Sequence, residues 1–214
     1  MIIRNKFKIL FSIFLFLGVA NFAFSQRIIT NNISYDEVLK YEQKLNSKNI
    51  TIEVENNEDF IIYNKNDVYY PFSASLTPPI EFLRTVSDFH IDPKIKYYFD
   101  RQGKKLLFVE MHWSPQNNLD IFNRSFLTEL DRVLNEESLK KGKYKSFYNK
   151  LNKKLTSIYG KPTKRIKVKK WEAYNSDGWR YEWSTDMLKI TTELRMPKEG
   201  FVDLIFINYT IGFK

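Results

Sequence analysis

Residues 171–196 read WEAYNSDGWRYEWSTDMLKITTELRM and hold Trp171, Trp179 and Trp183, three of the four tryptophans in the chain. Side chains alternate across a strand, so residues two apart share a face. Trp179, Tyr181 and Trp183 then point one way, and Arg180, Glu182 and Ser184 the other. In the next run Leu188, Ile190 and Leu194 share a face, opposite Lys189, Thr191, Glu193 and Arg195. Just upstream, Ile166 and Val168 oppose Lys167 and Lys169. An antiparallel sheet covered on one side shows this division, one apolar face and one charged face. The aromatic ladder is therefore expected beneath helices, with the lysines toward solvent. By the same parity Trp171 falls with Lys167 and Lys169 on the charged side, and Tyr174 follows in a loop. Large aromatics in such a setting are candidate contacts for a sugar, a base or a partner protein. The competing arrangement is a bulge or strand end that turns Trp171 back to the core.

The pattern extends in both directions. Strands are expected over 165–172, 179–185, 187–196 and 201–211, with turns at Asn175-Ser176-Asp177-Gly178 and Pro197-Lys198-Glu199-Gly200. Connections this short force neighbouring strands to run antiparallel. Upstream, KIKYYFDRQGKKLLFVEMHW (94–113) is a hairpin around Asp100-Arg101-Gln102-Gly103. Two helices follow. Leu119, Phe122, Phe126, Leu130 and Val133 form one apolar stripe, and Tyr144, Phe147, Tyr148, Leu151, Leu155 and Ile158 form the other. Gly160-Lys161-Pro162 stops the second helix. Nearer the start, 34–47 reads as a helix with Ser34 as N-cap and Glu37 completing a capping box. Its apolar stripe is Val38, Tyr41 and Leu45. NITIEVE (49–55) alternates like a strand, and residues 80–89 admit a helical turn or two. The expected class is α+β: an antiparallel sheet, made of a hairpin and a C-terminal meander, with helices packed on one face. Residues 26–214 are expected to form a single domain, with 26–92 its looser N-terminal part.

Residues 1–25 read as an address. Arg4, Lys6 and Lys8 precede a nearly apolar run from Ile9 to Ala20, and Ala23-Phe24-Ser25 places small residues for cleavage before Gln26. The apolar run to Phe24 is 16 residues long. A bilayer span usually needs about 20. The segment resembles bacterial export signals, which implies an exported protein, periplasmic or extracellular. Beyond it no stretch is apolar enough to be a transmembrane segment. The chain contains no cysteine. A lipid anchor on cysteine, disulfides, thiolate metal sites and cysteine nucleophiles are all excluded.

Charge is distributed unevenly. The formal net charge is +9, of which the leader contributes +3. Residues 138–170 carry 13 Lys or Arg and no Asp or Glu. The block runs through the second helix into the next strand, with Lys161, Lys164, Arg165, Lys167 and Lys169 at its end. A concentrated positive field attracts anions such as an anionic glycan, a lipid headgroup or an acidic protein. A solvated helix face is the plainer explanation of the same run. Nucleic acid is disfavoured as a partner, because export separates the chain from it and no base-reading motif is present.

Motifs for chemistry are sparse. Asp88, His90 and Asp92 would converge if extended, as ligands of a divalent cation do, whereas a helix would scatter them. Glu110 and His112 share a strand face in the same way. No phosphate-cradling glycine loop, HExxH helix or G-x-S-x-G elbow occurs. No cofactor and no metal are therefore assigned. The sequence favours a non-enzymatic binding or accessory module whose contacts are Lys161, Lys164, Arg165, Lys167, Lys169, Trp171 and Tyr174. The alternative is a carboxylate-based hydrolase of surface glycans, which needs only two carboxylates placed by the fold.

Overall fold

The computed structural model describes residues 33–51, 79–100, 102, 105–119, 125–168, 176–197 and 205–213. The leader expected over residues 1–25 and most of the strand expected over 49–55 lie outside these residues, as do Lys169, Trp171 and Tyr174.

Helix α1 spans Tyr35–Lys44 and starts at the expected capping box. The Glu37 amide donates to Ser34 Oγ, and the Ser34 amide donates to Glu37 Oε2 at 2.9 Å. Each bond satisfies a donor that the first turn would otherwise leave unpaired. The helix buries Val38 and Glu42. Strands β1 (Lys48–Asn49), β2 (Ile80–Leu83), β3 (Lys94–Phe99) and β4 (Leu106–Trp113) follow. Residues 80–83 are strand rather than helical turn. Ile80 and Phe82 are buried while Glu81 and Leu83 are only half-buried, a period of two. A 3-10 turn at Pro115–Asn118 leads toward α2 (Phe126–Ser138) and α3 (Lys141–Tyr159). Of the expected stripe, Leu119 is extended after this turn and Phe122 lies outside the described residues; α2 is buried through Leu134 and Glu137. Strands β5 (Lys164–Val168), β6 (Ser176–Ser184), β7 (Leu188–Pro197) and β8 (Phe206–Phe213) complete the order.

All eight strands form one antiparallel sheet in the order β1-β2-β3-β4-β8-β7-β6-β5. The chain leaves the middle of the sheet after β4, passes through α2 and α3, and re-enters at the far edge as β5. The meander then returns until β8 closes against β4. The core lies on one face. Val109, Met111 and Trp113 from β4, Ile207 and Tyr209 from β8, Ile190 and Leu194 from β7, and Trp183 from β6 meet Tyr144, Phe147, Tyr148 and Leu155 of α3. Val38 of α1 joins the same cluster. Trp179 and Tyr181 are half-buried against it, so the aromatic ladder sits under the helices as expected. Trp183 Nε1 donates to the carbonyl of Gly160 at 3.0 Å and ties β6 to the end of α3. Gly160 takes φ 79°, a left-handed conformation that glycine accepts without steric cost.

Two expectations about β6 and β7 need correction. The turn assigned to Asn175-Ser176-Asp177-Gly178 is displaced, because residues 176–178 already belong to β6. Gly178 lies opposite Arg195 of β7, and a Cβ there would come within 2.4 Å of the Leu194 carbonyl oxygen. Close strand approach, not a turn, requires this glycine. The second correction concerns the charged face. Arg180, Glu182, Thr191, Glu193 and Arg195 do lie opposite the ladder, yet all are buried. Arg180 Nε donates to Glu193 Oε2 at 2.9 Å, and Arg195 Nε donates to the other carboxylate oxygen. Arg180 reaches Glu193 across the β6–β7 pair and Arg195 reaches it along β7, so these three charges need not reach water.

Candidate functional site

The basic run lies on α3 and β5. α3 turns Tyr144, Phe147, Tyr148 and Leu155 inward, which leaves its lysines on the remaining surface. Two inward residues orient the helix. Phe147 stacks on Phe89 with ring centroids 4.5 Å apart, and Tyr148 meets Tyr181 of β6 at 6.0 Å. One flank of α3 therefore overlooks the loop after β2, and the other overlooks β6 and β5. At 3.6 residues per turn, Lys143, Lys150 and Lys154 fall on the first flank and Lys145 on the second. Tyr148 also donates to the Trp179 carbonyl at 2.8 Å, and Thr192 Oγ1 donates to Asn152 Oδ1 at 2.6 Å. These bonds lock the helix over β6 and β7.

Lys143, Lys145, Lys150, Lys153, Lys161 and Lys167 are exposed. Among the described residues none of them has a carboxylate within 4.0 Å. Lys164 is 3.8 Å from Glu182 Oε2, and Lys140 is on Glu137 Oε1 at 2.5 Å. The side chain of Lys154 differs from the others. Its Nζ is buried with no acceptor among the described residues. Burial lowers its pKa, and the nearby Asp88 carboxylate works the other way.

β5 reverses the parity that its sequence suggests. Arg165 pairs with Tyr181, Lys167 with Trp179, and Ile166 with Arg180. Directly opposed residues of an antiparallel pair share a face. Arg165 and Lys167 thus lie on the helix side of the sheet with the aromatic ladder, and Ile166 lies on the far face. The Arg165 guanidinium sits 5.6 Å from the Tyr181 ring centroid. Long basic side chains can cover aromatic rings with their stems while the charged heads stay in water. On an edge strand this inverts the usual link between charge and outward direction. Arg165 and Lys167 therefore share one side of the sheet with the cations of α3, whereas Lys164, opposite Glu182, lies on the far face with Ile166.

The candidate cation ligands do not form a triad. His90 Nε2 lies 2.6 Å from Glu137 Oε2, on the α2–α3 junction. Asp92 accepts from the Val86 amide at 3.1 Å and closes its own loop. Asp88 is exposed beside Ser87. Among the described residues no three His, Asp or Glu side chains gather to hold a metal ion. Glu110 and His112 do share a face. Glu110 accepts from Tyr98 at 3.2 Å and from Asn208 at 2.9 Å, and burial pushes the His112 imidazole pKa down.

Three clusters escape a reading of the sequence. Glu137 accepts from His90, Tyr144 and Lys140. Glu42 accepts from Arg84 and Tyr97 under α1. Glu193 bridges Arg180 and Arg195. Glu42 leaves a trace, since it stands four residues after Val38 on the buried stripe of α1, and alternation sets Glu193 and Arg195 on one face without showing that they are buried. Among the described residues no helix is long and apolar enough to cross a membrane. Comparison with protein-family models, with curated proteins and with solved structures gave no match.

Proposed function

We propose that this chain is an exported binding or accessory module, without enzymatic activity, that engages an anionic envelope component or an acidic protein. One observation carries the proposal: among the described residues Lys143, Lys145, Lys150, Lys153 and Lys167 are exposed with no carboxylate within 4.0 Å, and Arg165 and Lys167 project on the same side of the sheet as α3. Cations left without internal partners create a field that draws in anions. Such binding weakens as salt screens it, over a distance of about 8 Å at physiological ionic strength. The test is retention on an immobilised sulfated polysaccharide under a salt gradient. The protein is expected to bind at low salt, and the variant with Lys150, Lys153, Lys161 and Lys167 changed to Glu to elute at much lower salt. Equal elution of the two proteins contradicts the proposal.

A further inference from the structure

α2 ends at Ser138 and α3 begins at Lys141, so Leu139 and Lys140 form the corner between them. Leu139 is 88% exposed, more than any other large apolar side chain described. Its surroundings hold it outward. Glu137 and Tyr144 turn inward from either side of the corner and meet at 2.9 Å. Lys140 and His90 close on the same carboxylate. Leu139 itself has ordinary helical dihedrals, φ −73° and ψ −17°, so no backbone strain accounts for its position. Glu136, an exposed acid three residues before Leu139, is paired with Arg132 at 2.7 Å. Lys141, Lys143 and Lys145 follow within the first turns of α3, around Gly142, which has open space on its Cβ side.

An outward apolar side chain above a collar of lysines matches the boundary of an anionic bilayer, where acyl chains lie just beneath phosphates. The corner projects rather than recedes, so it suits a deformable surface better than a small ligand that must be enclosed. Its cations are flexible lysines rather than the planar arginine forks that suit bidentate carboxylate recognition. We infer that the α2–α3 corner docks on an anionic lipid bilayer, with Leu139 entering the headgroup–acyl boundary and Lys143 and Lys145 on neighbouring phosphates. This rests on the anion-binding reading above and specifies lipid as the partner.

Because the chain lacks cysteine, Leu139→Cys gives a single attachment point for an environment-sensitive nitrobenzoxadiazole label. Met187→Cys, exposed on the β6–β7 turn, provides the control. With vesicles of phosphatidylglycerol and phosphatidylcholine, the label at 139 should shift to the blue and be quenched by a shallow nitroxide lipid. The label at 187 should do neither. Leu139→Asp should weaken vesicle binding about tenfold. It should leave elution from the sulfated polysaccharide unchanged. A label at 139 that stays in a water-like environment while the protein sediments with vesicles overturns the inference. So does binding to the polysaccharide or to an acidic polypeptide without binding to vesicles, and that outcome leaves the broader reading intact. Binding to none of these matrices overturns both.

Discussion

Glu137 gathers three donors on one carboxylate: Lys140 at 2.5 Å, His90 at 2.6 Å and Tyr144 at 2.9 Å. Burial works to raise its pKa, but these hydrogen bonds outweigh it and hold the carboxyl below the usual glutamate range. The unfolded chain keeps a value near about 4.3. Because the folded value is the lower one, the stabilisation is complete above the unfolded value and is lost as pH falls through the folded value. Glu137→Gln should therefore cost about 1–3 kcal/mol at pH 7 and much less at pH 3. Urea midpoints at the two pH values measure this, and an equal loss at both would show that the ionised form contributes nothing. Lys140 and Tyr144 stand only three and seven residues after Glu137, but no local pattern announces His90, which is 47 residues away. Spacing along a chain reveals periodic burial, whereas partners brought together by tertiary folding leave no local mark.

At the scale of elements, anchoring depends on buried charge as well as on apolar stripes. α1 is fixed to the strand-end at Arg84 by the Glu42 carboxylate, and both side chains are almost fully buried. Removing one member strands the other in a medium that solvates it poorly. Arg84→Met alone should cost about 3–5 kcal/mol, while Arg84→Met with Glu42→Leu should recover most of that loss. Chemical denaturation of the two variants distinguishes a buried pair whose members depend on each other from a merely decorative one. Gly178→Ala should destabilise by about 1–3 kcal/mol, because its Cβ would meet a backbone oxygen that cannot swing aside. A Tm equal to that of the parent would show that β6 and β7 separate at this point. Both features test how far pattern-reading reaches. The capping box at Ser34 was legible because it is complete within four residues. Gly178 was legible as a special position, but turn chemistry and close strand approach use the same residue type.

The molecule as a whole follows from one periodicity with one inversion. Alternation along β6, β7 and β8 set the buried face, and α3 together with Val38 of α1 covers it. The order in which β8 joins β4 was not legible, since strands separated by two helices carry no signal of adjacency. Nor was the parity of β5, where Lys and Arg stems lie beside aromatic rings and Ile166 takes the far face. That parity matters for the functional proposal, because it carries Arg165 and Lys167 to the side of α3. The candidate contacts Lys161, Lys164, Arg165 and Lys167 are thus placed in the fold. A cysteine-free chain allows the parity to be measured directly by cross-linking. Directly opposed residues have Cα atoms about 4.5–5.5 Å apart, within the span of a disulfide. Under mild oxidation, Arg165→Cys with Tyr181→Cys should form an intramolecular disulfide in high yield, and Ile166→Cys with Tyr181→Cys should not; the reverse result would contradict the register that unites the two sets of cations.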